Sequence, residues 1–417
     1  MDKPLRRDFA SRESLVDYLR ETFADLVEPG AVSPWKGGRR AALQRLEELK
    51  VEDYARTRNS LSGAVSRLSP YIRHGLLTLA EVRQVALERA QKPQQAEKFI
   101  QELGWREYWQ RLYSLLGQRI NQSLEPLKTG HPESSYRAEL PDDVAQASTG
   151  LACMDAFSDR LQQEGWLHNH ARMWLAAYLM HWRKVRWQAG AAWFLRHLLD
   201  GDPASNHLSW QWVASSFSHK PYFFNRENLE RYTQGRFCRG CPAARTCPFD
   251  KSYTELEAQL FGPPGPPGPH RPAVRSTPLR AGLPRPEPEP QRVSTLFWMH
   301  GDGLRQAASA PAVFVFDAGV LRHYRLSFKR LVFLYECLLE LEVDLYRGRV
   351  DEVVLAEASR RGVSQIVTTA SPSPGFARLR ARLEKHLPVR LVREPEFLPP
   401  SPPGQDLTRF SRFWNAR

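Results

Sequence analysis

Apolar residues recur at helical spacing through most of the first 260 or so positions. Leu15, Leu19, Phe23 and Leu26 form one stripe that Pro29-Gly30 closes, predicting an amphipathic helix within residues 1–30. A second helix is predicted from about Arg39 to Leu49. Thr78 and Glu81 have the spacing of a capping box and open another. A longer helix is predicted over 95–117, and 120–148, rich in Ser, Pro, Asp and Gln, reads as a polar loop. Between 149 and 212 the helical period returns at Leu161, Trp166, Met173, Leu175 and Leu179. It resumes at Trp193, Leu195 and Leu198 until Gly201 and Pro203 stop it.

Residues 262–292 are dense in Pro and Gly and predict an extended spacer, because neither residue supports a helix or sheet interior. Beyond it the period changes. Short β-branched and aromatic runs at Thr295–Met299, Ala312–Phe316, Ser364–Thr368 and Val389–Val392 alternate with helical stretches near 326–346 and 374–386. That alternation predicts a parallel α/β unit. The expected fold is a mainly α domain (1–261), a Pro-rich linker (262–292) and a smaller α/β parallel-sheet domain (293–417).

At 417 residues the chain is long enough for two cores. Its 59 Lys+Arg against 46 Asp+Glu give +13, which favours a polyanionic partner such as nucleic acid, or merely a soluble basic surface. MDKPLRRDFASRE has no apolar signal region, and no run approaches a membrane span. A soluble, monomeric, cytoplasmic protein with reduced thiols and no membrane partner is expected.

Chemistry concentrates in the central run. Arg172, Asp200, Asp202 and Asn206 lie inside predicted buried helices, where charge must be paired or hold a ligand. A structural Arg–Asp pair is the plain alternative. Cys238, Cys241 and Cys247 form C-x2-C-x5-C-P, a thiolate spacing suited to zinc or an iron–sulfur cluster, with one ligand still to be found. Cys337, in an apolar helix, reads as a packed thiol.

The order TG-x4-D, GW-x-HN-x-x-RM and DGD-x3-N-x3-WQW, with SRLSPYIRHGLLT at Ser66–Thr78 and ELGWREYW at Glu102–Trp109, resembles the flavin-binding core of the DNA photolyase and cryptochrome family. The resemblance spans roughly residues 40 to 260. It implies FAD held by Tyr54, Ser66, Arg67, Leu68, Ser69, Trp105, Asn169, Arg172, Asp200, Asp202 and Asn206, with Arg172 paired to Asp200 and Asn206 beside the reactive flavin nitrogen. It implies a lesion pocket lined by Glu102, Trp105, Asn169 and Met173, into which a pyrimidine pair is flipped. Trp187, Trp210 and Trp212 align with redox-active or pocket tryptophans, and Tyr136 lies near the outermost position of the electron chain.

The cysteines resemble those of the bacterial iron–sulfur subgroup, whose fourth ligand sits where Cys153 does. That implies a 4Fe–4S cluster on Cys153, Cys238, Cys241 and Cys247. His168, Asn169 and Met173 resemble the cyclobutane-dimer enzymes, whereas six-four repair is thought to need His at the Asn169 position; His170 keeps that reading open. LFWMHGDGLRQ, VFVFDAGVL and RLSFKRLVFLYECLLEL resemble the family's amino-terminal antenna domain, and LPPSPPGQDLTRFSRFWNAR the segment that leads out of it. A circular permutation is therefore expected, its second chromophore undecided. The implied function is light-driven repair of UV-damaged DNA, with a blue-light photoreceptor or a six-four photolyase as alternatives.

Overall fold

The computed structural model describes residues 4–263, 274, 294–305, 310–392 and 397–416. The chain is mainly helical up to Leu260 and then forms a five-stranded parallel sheet flanked by helices. The first helix runs Arg12–Thr22, with Leu15, Val16 and Leu19 buried, and the second runs Arg39–Glu47. Thr78 caps the Leu79–Arg89 helix. Its hydroxyl accepts from Glu81 N at 2.8 Å, and the Glu81 carboxylate accepts from Thr78 N. The long helix spans Pro93–Leu116, where Pro supplies the pre-set first-turn geometry. The central run folds as helices Ala152–Gln163, Asn169–Ala177, Trp187–His197 and Pro203–Ala214. A single π turn, Tyr178–Trp182, ends the second of these.

The sheet comprises β1 (Thr295–Met299), β2 (Ala312–Asp317), β3 (Asp344–Gly348), β4 (Gln365–Thr369) and β5 (Val389–Val392), in the order β3-β2-β1-β4-β5, all parallel. Leu296 and Trp298 share a core with the Val350–Arg360 and Pro374–Leu383 helices. Phe297 and Met299 share the opposite core with the Phe328–Leu339 helix. That second core is continuous with Leu15, Leu19, Phe23 and Leu46. The amino-terminal helices and the sheet therefore bury one another. Arg12 Nε pairs with Glu336 at 2.6 Å across this junction, and Leu5 N donates to Leu345 O at 2.7 Å beside the edge strand.

Three expectations change. The helix predicted over 326–346 ends at Leu339, and the chain re-enters the sheet as β3; the short Val343–Leu345 alternation gains strand pairing only from β2. The Val350–Arg360 helix, with Val350, Val354 and Ala358 buried, did not stand out from the sequence. The polar 120–148 stretch begins at the end of a Gly117–Asn121 turn, contains single turns at Glu133–Ser135 and Asp142–Ala145, and buries Leu124, Tyr136 and Val144. The predicted 262–292 spacer, apart from Gly262, Pro263 and Val274, lies outside the described residues. Among the described residues no helix is long and apolar enough to cross a membrane.

Candidate functional site

The site is built around the loop joining Trp187–His197 to Pro203–Ala214. Asp202 caps the second helix, accepting from Ala204 N and Ser205 N, and Pro203 occupies the first turn, where its missing N–H costs nothing. The same carboxylate takes Arg106 Nη1 at 3.1 Å, Gln110 Nε2 at 2.7 Å and the Ser205 hydroxyl at 2.7 Å. Asp200 accepts from Arg172 Nη2 at 2.8 Å, and Arg172 is aimed by a second bond from its Nε to Leu167 O. Burial works to raise the Asp200 carboxyl; Arg172, helped by nearby Ser69, outweighs it and holds the pKa below the ordinary value. Asp200 Oδ1 is buried and makes no close hydrogen bond among the described residues, the Ser69 hydroxyl lying beside the carboxylate.

His168 Nδ1 caps the Asn169–Ala177 helix by accepting from His170 N at 3.1 Å. His168 Nε2 is buried and also lacks a described partner. Burial, then His170, draws the His168 pKa down to about 4; burial, then Arg58, does the same to His170. Both rings are therefore neutral near pH 7. His170 stacks on Tyr232 at 5.1 Å, and Asn169 is exposed, with its amide 3.4 Å from Met173 Sδ.

Tyr54 lies edge-on to Phe99 at 5.0 Å, and Glu102 is held between Arg58 (2.9 Å) and Lys98 (3.0 Å). Ser66–Ser69 meets this group, with the Ser69 hydroxyl beside the Asp200 carboxylate. Arg67 is in the left-handed region (φ 56°) with its guanidinium over Trp166, Leu68 is buried, and Ser69 is exposed. Asn206 sits one turn beyond Asp202, its Nδ2 donating to Ala191 O at 2.8 Å. The structure thus brings together residues from five separate stretches of chain.

Trp105, on the Pro93–Leu116 helix, is half-buried. One face of its indole is stacked on Phe410 at 3.9 Å and 13°. Trp187 and Trp210 lie in one core; Trp187 Nε1 donates to Ser123 Oγ at 3.1 Å, and Trp210 packs so tightly on Gly190 that a Cβ there would fall 2.2 Å from its ring. Trp212, two residues on, faces elsewhere and contacts Tyr222 at 5.6 Å. Tyr136 is buried, its hydroxyl 2.8 Å from Thr129 Oγ1.

Cys153, Cys238, Cys241 and Cys247 line one small cavity, with Phe237, Phe249 and Arg226 among its walls. Cys153 comes from the first turn of Ala152–Gln163. The other three follow the Arg226–Thr233 helix, where Gly240 (φ 75°) turns the chain between Cys238 and Cys241. All are free thiols. Burial pushes the Cys153 thiol well up, Cys238 to about 11, and Cys247 up as well. Among the described residues no group of three or more His, Cys, Asp or Glu is arranged to hold a metal ion.

Residues 99–239 match the FAD binding domain of DNA photolyase. The chain is 35% identical over 167 residues to a deoxyribodipyrimidine photo-lyase of Streptomyces griseus, covering 40% of this chain and 36% of that protein. It is 32% identical over 213 residues to one of Halobacterium salinarum, covering 47% and 43%. Among solved structures it is similar to a Synechocystis cryptochrome (24% identity, 57% of this chain, 53% of that chain, TM-score 0.45). The chain spans about two fifths of the length of these curated relatives. The FAD-binding match contains Glu102, Trp105, Arg172, Asp200, Asn206 and the cysteines 153 and 238, and it leaves Tyr54 and Ser66–Ser69 outside. Three groups at the site had no assigned role in the sequence reading: Arg58 beside Glu102, Arg106 on Asp202, and Phe410 on Trp105. The first two lie near the quoted motifs; Phe410 is far away in sequence, and no local pattern pairs it with Trp105.

Proposed function

We propose that this protein is a light-dependent DNA repair lyase that splits cyclobutane pyrimidine dimers, using reduced FAD. The observation that carries the reading is the buried Asp200 carboxylate, oriented by Arg172 yet with one oxygen making no close hydrogen bond among the described residues. Leaving such an acceptor unmet costs about 1–3 kcal/mol, so a ligand bearing N–H or hydroxyl donors fits there, and FAD offers both. Tyr54, Ser66, Arg67, Leu68 and Ser69 would hold it from one side, and Asn169, Arg172, Asp200, Asp202 and Asn206 from the other. When bound and reduced, FAD would supply a photoexcitable one-electron donor.

The chain's own residues bind and orient. Trp105 and Met173 offer a stacking and apolar surface for a flipped-out base pair, Glu102 a carboxylate that Arg58 and Lys98 keep in position. Trp210 and Trp187, buried in one core, give aromatic steps away from the cofactor, whereas Trp212 packs on Tyr222. The excess of basic residues suits a phosphate backbone. Burial keeps His170 uncharged near neutrality, which makes it a poor proton donor and speaks for the cyclobutane dimer over the six-four lesion.

Cys153, Cys238, Cys241 and Cys247 would hold a 4Fe–4S cluster, as in the bacterial iron–sulfur subgroup. Four thiols lining one small, largely apolar cavity suit either zinc or an iron–sulfur cluster, and the C-x2-C-x5-C-P run with a distant fourth thiol is what favours the cluster. Such a cluster supplies a one-electron store and a cross-link between distant segments. The α/β unit, 293–417, is read as the antenna domain permuted behind the helical domain 1–261 and the 262–292 linker. A light-sensor reading has one observation in its favour, the Phe410 ring that already covers one face of Trp105.

The test is illumination of the reduced protein with an oligonucleotide carrying one thymine dimer. Dimers are expected to vanish in blue light and persist in the dark. Trp105→Ala should weaken damaged-DNA binding by about tenfold or more, the worth of one lost base stack. Asn206→Ala should leave binding intact and slow repair. Surviving dimers under a cycling flavin would favour the sensor, and a purified protein without flavin absorbance would sink both readings.

A further inference from the structure

The α/β unit has a crevice where its strand order reverses. β1 continues outward to β2 and β3, whereas β4 returns to the other side of β1, so the loops after β1 and β4 border the place where open parallel sheets receive ligands. Here protein groups occupy it. Asp302, after β1, accepts from the Ser371 hydroxyl, after β4, and pairs with Arg73 Nη1 at 2.6 Å. Arg73 ends the Ser69–Arg73 helix of the helical region. The His74 ring stands between Gly301 O (2.9 Å) and Leu199 O (3.2 Å), and Leu304 N donates to His74 O at 2.8 Å. Gly75 (φ 74°) and Gly303 pass so closely that a Cβ on the first would lie 3.0 Å from the Cα of the second.

This junction reaches the flavin loop. Arg73 Nε donates to Gly201 O at 2.9 Å, and Arg330 Nη2, from the Phe328–Leu339 helix, donates to the same carbonyl at 3.0 Å. Arg330 Nη1 donates to Leu195 O. Gly201 separates Asp200 from Asp202, and a Cβ on it would stand 2.9 Å from Arg330 Nη1. Arg330 is 8% exposed and makes no direct carboxylate contact among the described residues. Burial, then Arg73, lowers its pKa to about 9, and the groups that work against this are Asp200, Asp202 and then Tyr324. A cation from the second unit is thus set behind the two acids that face the proposed cofactor.

We infer that the α/β unit positions the Asp200–Asp202 loop for its flavin, through Arg330 and the Asp302–Arg73 pair, so that flavin binding depends on docking of that unit. The inference rests on the flavin reading. Arg330 and Asp302 are positioning residues, acting through the Gly201 carbonyl.

The experiment compares full-length Arg330→Met, Arg330→Lys and Asp302→Asn with Arg12→Met, which removes a junction pair with Glu336 that does not touch the loop. FAD affinity is read by flavin fluorescence, loop order by amide exchange at residues 199–206 without flavin, and folding by thermal melting. Arg330→Met and Asp302→Asn should weaken FAD by about tenfold or more and speed exchange in the loop. Lys should restore part, since it offers one donor group in place of a fork. Arg12→Met should lower the melting temperature while leaving affinity and loop exchange alone. Equal loss of FAD in Arg12→Met and Arg330→Met would overturn the inference, and so would unchanged affinity and exchange in both loop variants. Should wild-type protein bind no FAD, the flavin reading fails, and a loop that exchanges no faster in Arg330→Met then overturns the positioning role too.

Discussion

Cys153 sits in the first turn of a helix, far upstream of the other three thiols, yet all four face one cavity. The C-x2-C-x5-C run was visible in sequence because its ligands are local. The fourth came only from resemblance, since no spacing rule reaches across so much chain. If the cavity holds the proposed cluster, anaerobically purified protein carries about four iron and four sulfide per chain, and Cys153→Ala loses both. One zinc per chain would retire the cluster and leave the flavin site untouched. At Asp200 the pairing with Arg172 was expected and is present. What the sequence could not supply is the second pair, Arg58 with Glu102, because it joins two helices whose facing is set by packing.

Among the elements, strongly periodic helices were the most legible and β3 the least. A helix with a full apolar stripe carries its own evidence, whereas β3 is short and acquires meaning only beside β2. The unrecognised Val350–Arg360 helix has an electrostatic feature of its own. Glu357 is fully buried and is held by Arg360, with Arg361 and Tyr346 adding, so its carboxyl is depressed to about 2. A depressed acid stabilises the fold above its unfolded pKa of about 4.3, and the contribution is lost as pH falls toward 2. The melting temperatures of wild type and Glu357→Gln should therefore differ most at pH 6, the gap narrowing below about pH 4 and closing only at about pH 2 and below. A gap that stays constant with pH would show that packing, and not charge, is what the substitution removes.

Across the whole molecule the two halves are interlocked. The core shared by the amino-terminal helices and the sheet runs without a break, and the carboxyl-terminal Phe410–Trp414 helix closes over the Pro93–Leu116 helix. Phe410 is 7% exposed, stacks on Trp105 and lies edge-on to Tyr108. Phe410→Ala should cost about 3–5 kcal/mol in urea unfolding. A double-mutant cycle with Trp105→Ala should return about 0.5–1.5 kcal/mol of coupling. Strict additivity would mean the two rings do not support each other, and the carboxyl-terminal helix would then have no hold on the proposed lesion face.

The sequence alone determined the two-part architecture, helical then α/β, along with the places where helices begin and the local cysteine run. Each of these is written in neighbours a few residues apart, through periodicity, capping residues and ligand spacing. Only the tertiary structure decided that Arg330 and Asp302 reach the Asp200–Asp202 loop, that Phe410 lies on Trp105, and that the first helix shares a core with the last sheet. Those contacts join residues more than a hundred positions apart, and their partners follow from how whole faces bury one another.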